Sequence, residues 1–391
     1  MKDKLFELID EQRESLIQMA DTIFDNPEYE GEEEMAAGLL AGYLEQHGFT
    51  VATGVAGFKT AFRAEYKNPG SGEGPVIGIL CEYDALWGLG HGCGHHMQGP
   101  ACLGAAVALT KSGLKQPYTL VVYGTPAEET LGAKCDMIKA GAFRELDCAL
   151  MMHGGPNTST DIKCLAMSAF TVHFHGKGAH AALAPEKGKS AFDALLVAFQ
   201  GIEYLREHVP DDVRMHYTVS KLPGPANVVP AAAEGEFALR SFSKETLDHV
   251  VARFREIIEG AALIGGVTYE IRQTADFCNK IPVLKLNELL MANAELAGAP
   301  QPAPPRQKTG STDFGNVMYE IPGSCIRVAF VPEGTSSHSQ EYVAAGKTEA
   351  AHNCVIYGAK AIGGTALDLI EHPDWLEAVK TEFANNKEKF K

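Results

Sequence analysis

The chain has 391 residues, 45% of them apolar and 21% charged, with a formal net charge of −16. That length implies two or three domains rather than one core, and the surplus of acid repels nucleic acid and anionic membranes as partners. No apolar run approaches the roughly 18 residues needed to span a bilayer, so no membrane association is expected and a small molecule is the expected partner.

Residues 1–24, "MKDKLFELIDEQRESLIQMADTIF", predict one charged amphipathic helix without the apolar stretch of a signal peptide. The nine cysteines are scattered and odd in number, which fits free thiols and a cytoplasmic location. A second helix is predicted over 32–47, ended by Gly48. Strands "FTVATGV" and "KTAFRAEY" come next, then the buried strand "GPVIGILCEYDAL". After the loop "GHGCGHHMQG", "GPACLGAAVALTKSG" is a small-residue helix. "YTLVVYGTPAEE" is a buried strand, "CDMIKAGAF" a helix and "CALMMHGG" a third apolar strand. This alternation predicts an α/β domain with a sheet flanked by helices.

Near residue 165 the pattern changes. "AMSAFTVHFHG", "KSAFDALLVAFQGIEYLREH", "VRMHYTVSKL", "EGEFALRSFS", "KETLDHVVARFREIIEGAAL" and "VTYEIRQT" read in the order βαββαβ, a small ferredoxin-like domain. The α/β character then returns with helix "PVLKLNELLMANAELAG", strand "CIRVAFVP" and helix "KTEAAHNCVIYGAKAIGGTALDLI". The proline-rich "APQPAPPRQ" reads as a loop or linker. The expected organisation is a catalytic domain over 1–165 and 283–391 with an inserted domain over 166–282.

The chemistry-bearing residues fall where apolar strands give way to loops: Asp84, Cys93 and His95, Glu128 and Glu129, His153 and His338. Open α/β sheets bind ligands at the carboxyl ends of their strands. Taken singly, each has an ordinary reading. Cys93 would be a small hydrophobe, His153 a satisfied core histidine, Asp84 a cap or turn residue and the paired glutamates a solvated turn. Together they form a donor set for first-row divalent metals. Five ligands exceed one tetrahedral ion and suit two ions sharing a bridging group, a role open to a Cys93 thiolate. Cys93 and His95 are two apart and face one side of an extended segment. Adjacent Glu128 and Glu129 point apart, so one can hold metal while the other carries a proton to and from water. His91 and His96 stay open as metal or substrate contacts.

"EYDAL…GHGCGH", "GTPAEE", "MMHGG", "GKGAHAALAP", "NVVP" and "GSTDFGNV" in this order resemble metallopeptidase family twenty. They are most similar to its amidohydrolase branch, with its indoleacetyl-amino-acid hydrolases, aminobenzoyl-glutamate hydrolases and β-alanyl-lysine-type dipeptidases. The resemblance implies two divalent ions, zinc or manganese, held by Cys93, His95, Glu129, His153 and His338, with Cys93 bridging. It implies Glu128 as general acid/base and Asp84 as the residue orienting a ligand. The inserted domain would be a lid that also forms a homodimer. His180 would stabilise the oxyanion, and Asn227 and Arg240 would hold the substrate's polar end. His96 replaces the Asn or Asp usual after the second ligand, and Trp87 a proline, so both point to unusual substrate choice, with His96 a substrate contact.

The expected reaction is metal-assisted hydrolysis of the amide bond of an N-acyl amino acid or dipeptide-like substrate. Glu128 takes a proton from the attacking water, His180 stabilises the oxyanion, and Glu128 protonates the departing amine. One alternative is hydrolytic deamination of an amino-aromatic acid on the same site. Another is a metal- or ligand-binding relative without catalysis, against which the free carboxylate of Glu128 speaks. A cysteine-nucleophile hydrolase is weaker, because Cys93 and His95 are too close in sequence for the usual spatial pair.

Overall fold

In the computed structural model, which describes residues 1–70 and 73–390, the chain opens with helices α1 (Lys2–Asp10), α2 (Arg13–Asp25) and α3 (Glu34–Gln46). Ser71, Gly72 and Lys391, all inside the span expected to be catalytic, lie outside those residues. Strands β1 (Thr50–Thr53), β2 (Phe62–Asn68) and β3 (Val76–Cys81) follow, then α4 (Gln98–Lys111), β4 (Tyr118–Gly124), α5 (Ala133–Lys139) and β5 (Cys148–Gly155). The middle of the chain runs β6 (Ala166–His175), α6 (Ala191–Arg206), β7 (Arg214–Lys221), β8 (Ala232–Ser241), α7 (Lys244–Gly265) and β9 (Thr268–Phe277). It closes with α8 (Leu284–Leu296), α9 (Phe314–Glu320), β10 (Gly323–Ala329), α10 (Gln340–Ala345), α11 (Glu349–Glu371) and α12 (Pro373–Phe390).

The single N-terminal helix expected from the sequence is two helices. The break falls at Gln12, whose side-chain amide turns inward and donates to the carbonyls of Leu8, at 2.8 Å, and Gly104, at 3.3 Å. A buried amide needs partners, and these two carbonyls supply them.

Residues 1–163 and 280–390 form one compact unit and residues 164–279 a second. The first is built on a six-stranded mixed sheet in the order β1-β2-β4-β3-β5-β10. Strands β4, β3, β5 and β10 run parallel, while β2 pairs antiparallel with both β1 and β4. The parallel strands are apolar on both faces, as a sheet covered twice must be. Ile77 and Ile79 of β3 pack among α1, α2, α4, α8 and α11, and Leu80 on the opposite face packs with Met137 of α5 and Phe314 of α9. Helix α4 is almost wholly buried. Its small residues permit close approach: a Cβ at Gly104 would meet Leu16 at 2.6 Å. No helix among the described residues is long and apolar enough to cross a membrane.

The second unit has the order βαββαβ, with an antiparallel sheet β7-β8-β6-β9. Phe170, Val172 and Phe174 of β6 and Phe237 and Leu239 of β8 pack with α6 and α7. Arg240, Glu236 and His173 occupy alternate, less buried positions on the other face. Ser190 and Ser243 cap α6 and α7 by accepting from the backbone N–H of Asp193 and Thr246. Both units agree with the α/β architecture and βαββαβ order expected from the sequence.

Candidate metal centre

Four parallel strands end on one edge of the larger sheet, and their following loops carry the site. The β3 end supplies Glu82 and Asp84, and the glycine loop after it Cys93 and His95. The loop after β4 supplies Glu128 and Glu129, β5 supplies His153, and the loop after β10 supplies His338. Gly94 at φ +86 turns the glycine loop between Cys93 and His95, and a Cβ there would meet Met97 Cε at 3.0 Å. Two non-glycine residues also hold left-handed backbone here, Ala127 (φ 53) before the paired glutamates and His338 itself (φ 62). Such conformations cost about 1–3 kcal/mol each and persist where the surroundings enforce them. The His338 N–H donates to the Gly92 carbonyl at 2.9 Å, which ties that loop to the glycine loop.

Donor atoms of Cys93, His95 and His153 lie within 4.8 Å of one another, and so do those of Cys93, Glu129 and His338. Cys93 belongs to both triads, and Glu128 belongs to two further groups, one with His95 and Glu129 and one with Glu82 and Asp313. Cys93 Sγ is 3.5 Å from His153 Nε2, and His338 Nε2 is 3.2 Å from Glu129 Oε1. His153 Nδ1 lies 2.7 Å from the Gly154 carbonyl, so Nδ1 carries the proton and Nε2 keeps its lone pair. Asp84 is buried and uses both oxygens: Oδ1 is 2.9 Å from His95 Nδ1, and Oδ2 accepts from the Glu129 N–H at 2.9 Å.

Burial pushes the Cys93 thiol up to about 12. It pushes the Glu128 carboxyl well above the usual range too, with Glu82, Asp313 and Glu129 adding repulsion. Burial opposes charge on Glu129 as well, but His338 and His95 outweigh it and hold that carboxyl at about 2. The neighbouring glutamates therefore differ sharply.

Sequence reasoning missed the layer beneath. Lys134, fully buried, sets Nζ 2.6 Å from Glu82 Oε1 and 2.7 Å from Asp313 Oδ1. Asp313 Oδ2 also accepts from the Lys134 N–H at 3.1 Å, and Gln98 Nε2 donates to Glu82 Oε2 at 2.8 Å. Glu82 signals itself weakly, since two positions before Asp84 places it on the same side of the strand end. Asp313 sits in the quoted motif "GSTDFGNV" without an assigned role. Lys280, Arg306 and Arg327 line the same cavity and carried no signal at all.

His91, His96 and Trp87 are placed away from the cavity. His96 is fully buried, its Nε2 2.8 Å from the Gly346 carbonyl and its ring edge-on to Phe24. His91 Nε2 lies 3.0 Å from the Ile23 carbonyl. Trp87 is 68% exposed and stacks on Tyr29. None of the three lines the cavity. In the second unit, His180 and Asn227 are exposed on adjacent segments, where the Ala181 N–H donates to the Asn227 carbonyl at 3.0 Å and His180 bridges to Val228. Arg240 lies on β8 opposite Met167 and Arg214.

The model of peptidase family M20/M25/M40 matches residues 82–362, which contain every one of these donors. The chain is 34% identical to the Xaa-Arg dipeptidase of Mus musculus, over 98% of this chain and 92% of that protein. It is 30% identical to one of the two p-aminobenzoyl-glutamate hydrolase subunits of Escherichia coli (strain K12), over 96% of this chain and 93% of that subunit. A solved Bacillus subtilis protein, YxeP, described as a dinuclear metal binding peptidase, shares the fold with a TM-score of 0.69 at 20% identity, over 93% of this chain and 99% of that one. A protein matched end to end in this way, with its donors gathered at one sheet edge, belongs to the peptidase family M20/M25/M40.

Proposed function

We propose that the protein hydrolyses the amide bond of an N-acyl amino acid or dipeptide-like substrate on a site for two divalent ions, with Glu128 as proton carrier. Family membership makes it a metal-dependent amidohydrolase and leaves a non-catalytic role without support. The observation that carries the finer reading is the pair of donor triads sharing Cys93. Soft thiolate, imidazole and carboxylate donors in one cluster suit zinc or manganese, and the lone pair left on His153 Nε2 fits a ligand rather than a hydrogen-bond donor. Cys93, His95 and His153 would hold one ion, and Cys93, Glu129 and His338 the other. When bound, the ions supply Lewis-acid polarisation of the scissile carbonyl and a more acidic water.

The chain's own residues then do three things. Asp84 fixes the His95 tautomer and the Glu129 backbone together. Glu128 lines the cavity within reach of His95 and Glu129, and its carboxylate would take the proton of the attacking water and deliver it to the leaving nitrogen. The Glu82–Lys134–Asp313 group lies beside it and sets a lysine between two buried acids. For His180 the oxyanion role, and for Asn227 and Arg240 the grip on the substrate's polar end, rest on the motif match. A homodimer through the second unit is supported by its open β7 edge and by the exposed Leu196 and Tyr204 of α6. Deamination is the reading that His96 and Trp87 would favour. With neither lining the cavity, amide cleavage is favoured.

A screen of N-acyl amino acids, dipeptides and aryl-amide acids with the metal-loaded protein tests this. Amino-acid release is expected, ammonia is not. Glu128→Gln should keep its metal by atomic emission and lose about 10²–10⁴ in kcat. Ordinary turnover by that variant would remove Glu128 from the mechanism.

A further inference from the structure

Tyr342 is buried in the first turn of α10, a few residues after His338. Ser339 caps that helix by accepting from the Tyr342 N–H at 3.2 Å. The Tyr342 ring packs against the glycine loop: a Cβ at Gly94, between Cys93 and His95, would meet its Cε1 at 3.4 Å. Phe330 stands edge-on to the same ring, with centroids 4.7 Å apart. The hydroxyl donates to the Gly154 carbonyl at 3.0 Å. That carbonyl also takes the His153 Nδ1 proton, at 2.7 Å. One side chain therefore meets the loop of Cys93 and His95 and the carbonyl that sets His153, and its own helix continues the loop of His338.

A phenylalanine would fill the same space, so the hydroxyl is what needs a reason. Burial pushes the phenol above its usual range, and it stays a protonated donor. A carbonyl oxygen has two lone pairs. His153 Nδ1 engages one and Tyr342 the other, so the oxygen is held from two directions and the imidazole ring with it. Arg327 Nη1 stands third, at 3.4 Å. Its Nε is drawn the other way, to the buried carboxylate of Asp161 at 3.7 Å, where Lys280 Nζ at 2.8 Å and Arg306 Nε at 2.7 Å also converge. Arg306 arrives there from the proline-rich stretch, which is not a linker. It runs beside residues 158–162, where the Arg306 N–H donates to the Thr160 carbonyl and the Ile162 N–H to the Arg306 carbonyl, both at 2.8 Å.

We propose that Tyr342 is a positioning residue of the metal centre: its hydroxyl fixes the Gly154 carbonyl, and through it the direction in which His153 Nε2 faces the ion shared with Cys93 and His95. The inference rests on the two-ion reading. Partners behind a ligand set its orientation and tautomer, and their loss weakens the ion it holds. Without the hydroxyl, the carbonyl keeps its bond to His153 but loses its second anchor, and carbonyl and ring can tilt together. The residues involved belong to the larger unit alone.

The test titrates zinc into metal-free wild type and Tyr342→Phe against a chromophoric chelator. The wild type should take two ions. In Tyr342→Phe one of the two constants should weaken about tenfold, within the range for a partner behind a ligand, and the other should hold. With cobalt(II) in place of zinc, the thiolate charge-transfer band should persist while the ligand-field bands shift. Turnover should fall in kcat with KM unchanged. Phe330→Leu loosens the same packing but removes no hydrogen bond, so it should lower the urea midpoint and leave both constants alone. Identical constants and identical cobalt spectra in Tyr342→Phe would overturn the proposal. So would an equal weakening in Phe330→Leu, which would reduce Tyr342 to packing. Should Tyr342→Phe not fold, a crystal of the zinc-loaded wild type decides. Tyr342 on the Gly154 carbonyl with His153 bound through Nε2 upholds the proposal, and His153 bound through Nδ1 or left unbound ends it. The two readings also fail apart. A wild type that takes one ion ends the two-ion reading, and Tyr342→Phe is then judged on that ion's constant. Two ions, with Tyr342→Phe matching the wild type, does the reverse. Binding of no ion ends both.

Discussion

Asp84 shows how much one carboxylate can organise. Its two oxygens serve a histidine ring nitrogen and a glutamate backbone N–H at the same time. An asparagine has one acceptor oxygen and a donor amide, so Asp84→Asn must break one of the two bonds whichever way it is turned. A released His95 can rotate and lose the tautomer that suits a ligand. Metal affinity is therefore expected to fall about 10- to 100-fold, measured by competition with a chromophoric chelator. An unchanged affinity would mean that Asp84 only packs. The contrast between Glu128 and Glu129 is of the same kind. They are neighbours in sequence, but one faces other carboxylates and the other faces His338 and His95.

At the scale of elements, the site is a seam of four strand ends stitched by helix starts. Lys134 opens the first turn of α5, and Asp313 immediately precedes α9, so their ion pair locks two helices to the end of β3 through Glu82. Lys134→Met removes the cation and leaves two buried acids facing each other. Loss of about 3–5 kcal/mol is expected from urea unfolding, whereas Lys139→Met, on the exposed side of α5, should cost under about 0.5 kcal/mol. The strands and the five donors were legible in the sequence, because an apolar run ending in Asp, Glu or His is a local pattern. The lysine was not legible. A lysine at a helix start reads as solvated, and only the fold brings distant acids to it. The split between α1 and α2 was hidden too, and the Gln12 contact with Gly104 at that point is equally distant in sequence. Helices α9, α10 and α12 were not among the elements expected from the sequence. His96 was expected as a substrate contact, but a histidine next to a candidate donor in sequence can point into the core, as this one does.

The whole molecule consists of two units, each with its own apolar core. Units with separate cores can melt separately. All five expected ligands lie in the first unit. Chelation should therefore lower one thermal transition in a calorimetric scan and leave the other in place, because only a state that binds the ion is stabilised by it. A uniform shift of the whole profile would show that the two melt as one. The division has a further consequence, set by the ion pair between Asp161 and Lys280 that clasps the two points where the chain leaves and re-enters the larger unit. On a ribosome, the first 163 residues emerge long before β10 and α11. Until those arrive, the outer edge of β5 and the apolar side of α4 have no cover. The insertion, by contrast, is complete as soon as β9 is out. Synthesis therefore finishes the later module first and leaves the earlier one waiting, a half-built sheet of the sort that chaperones are needed to shield.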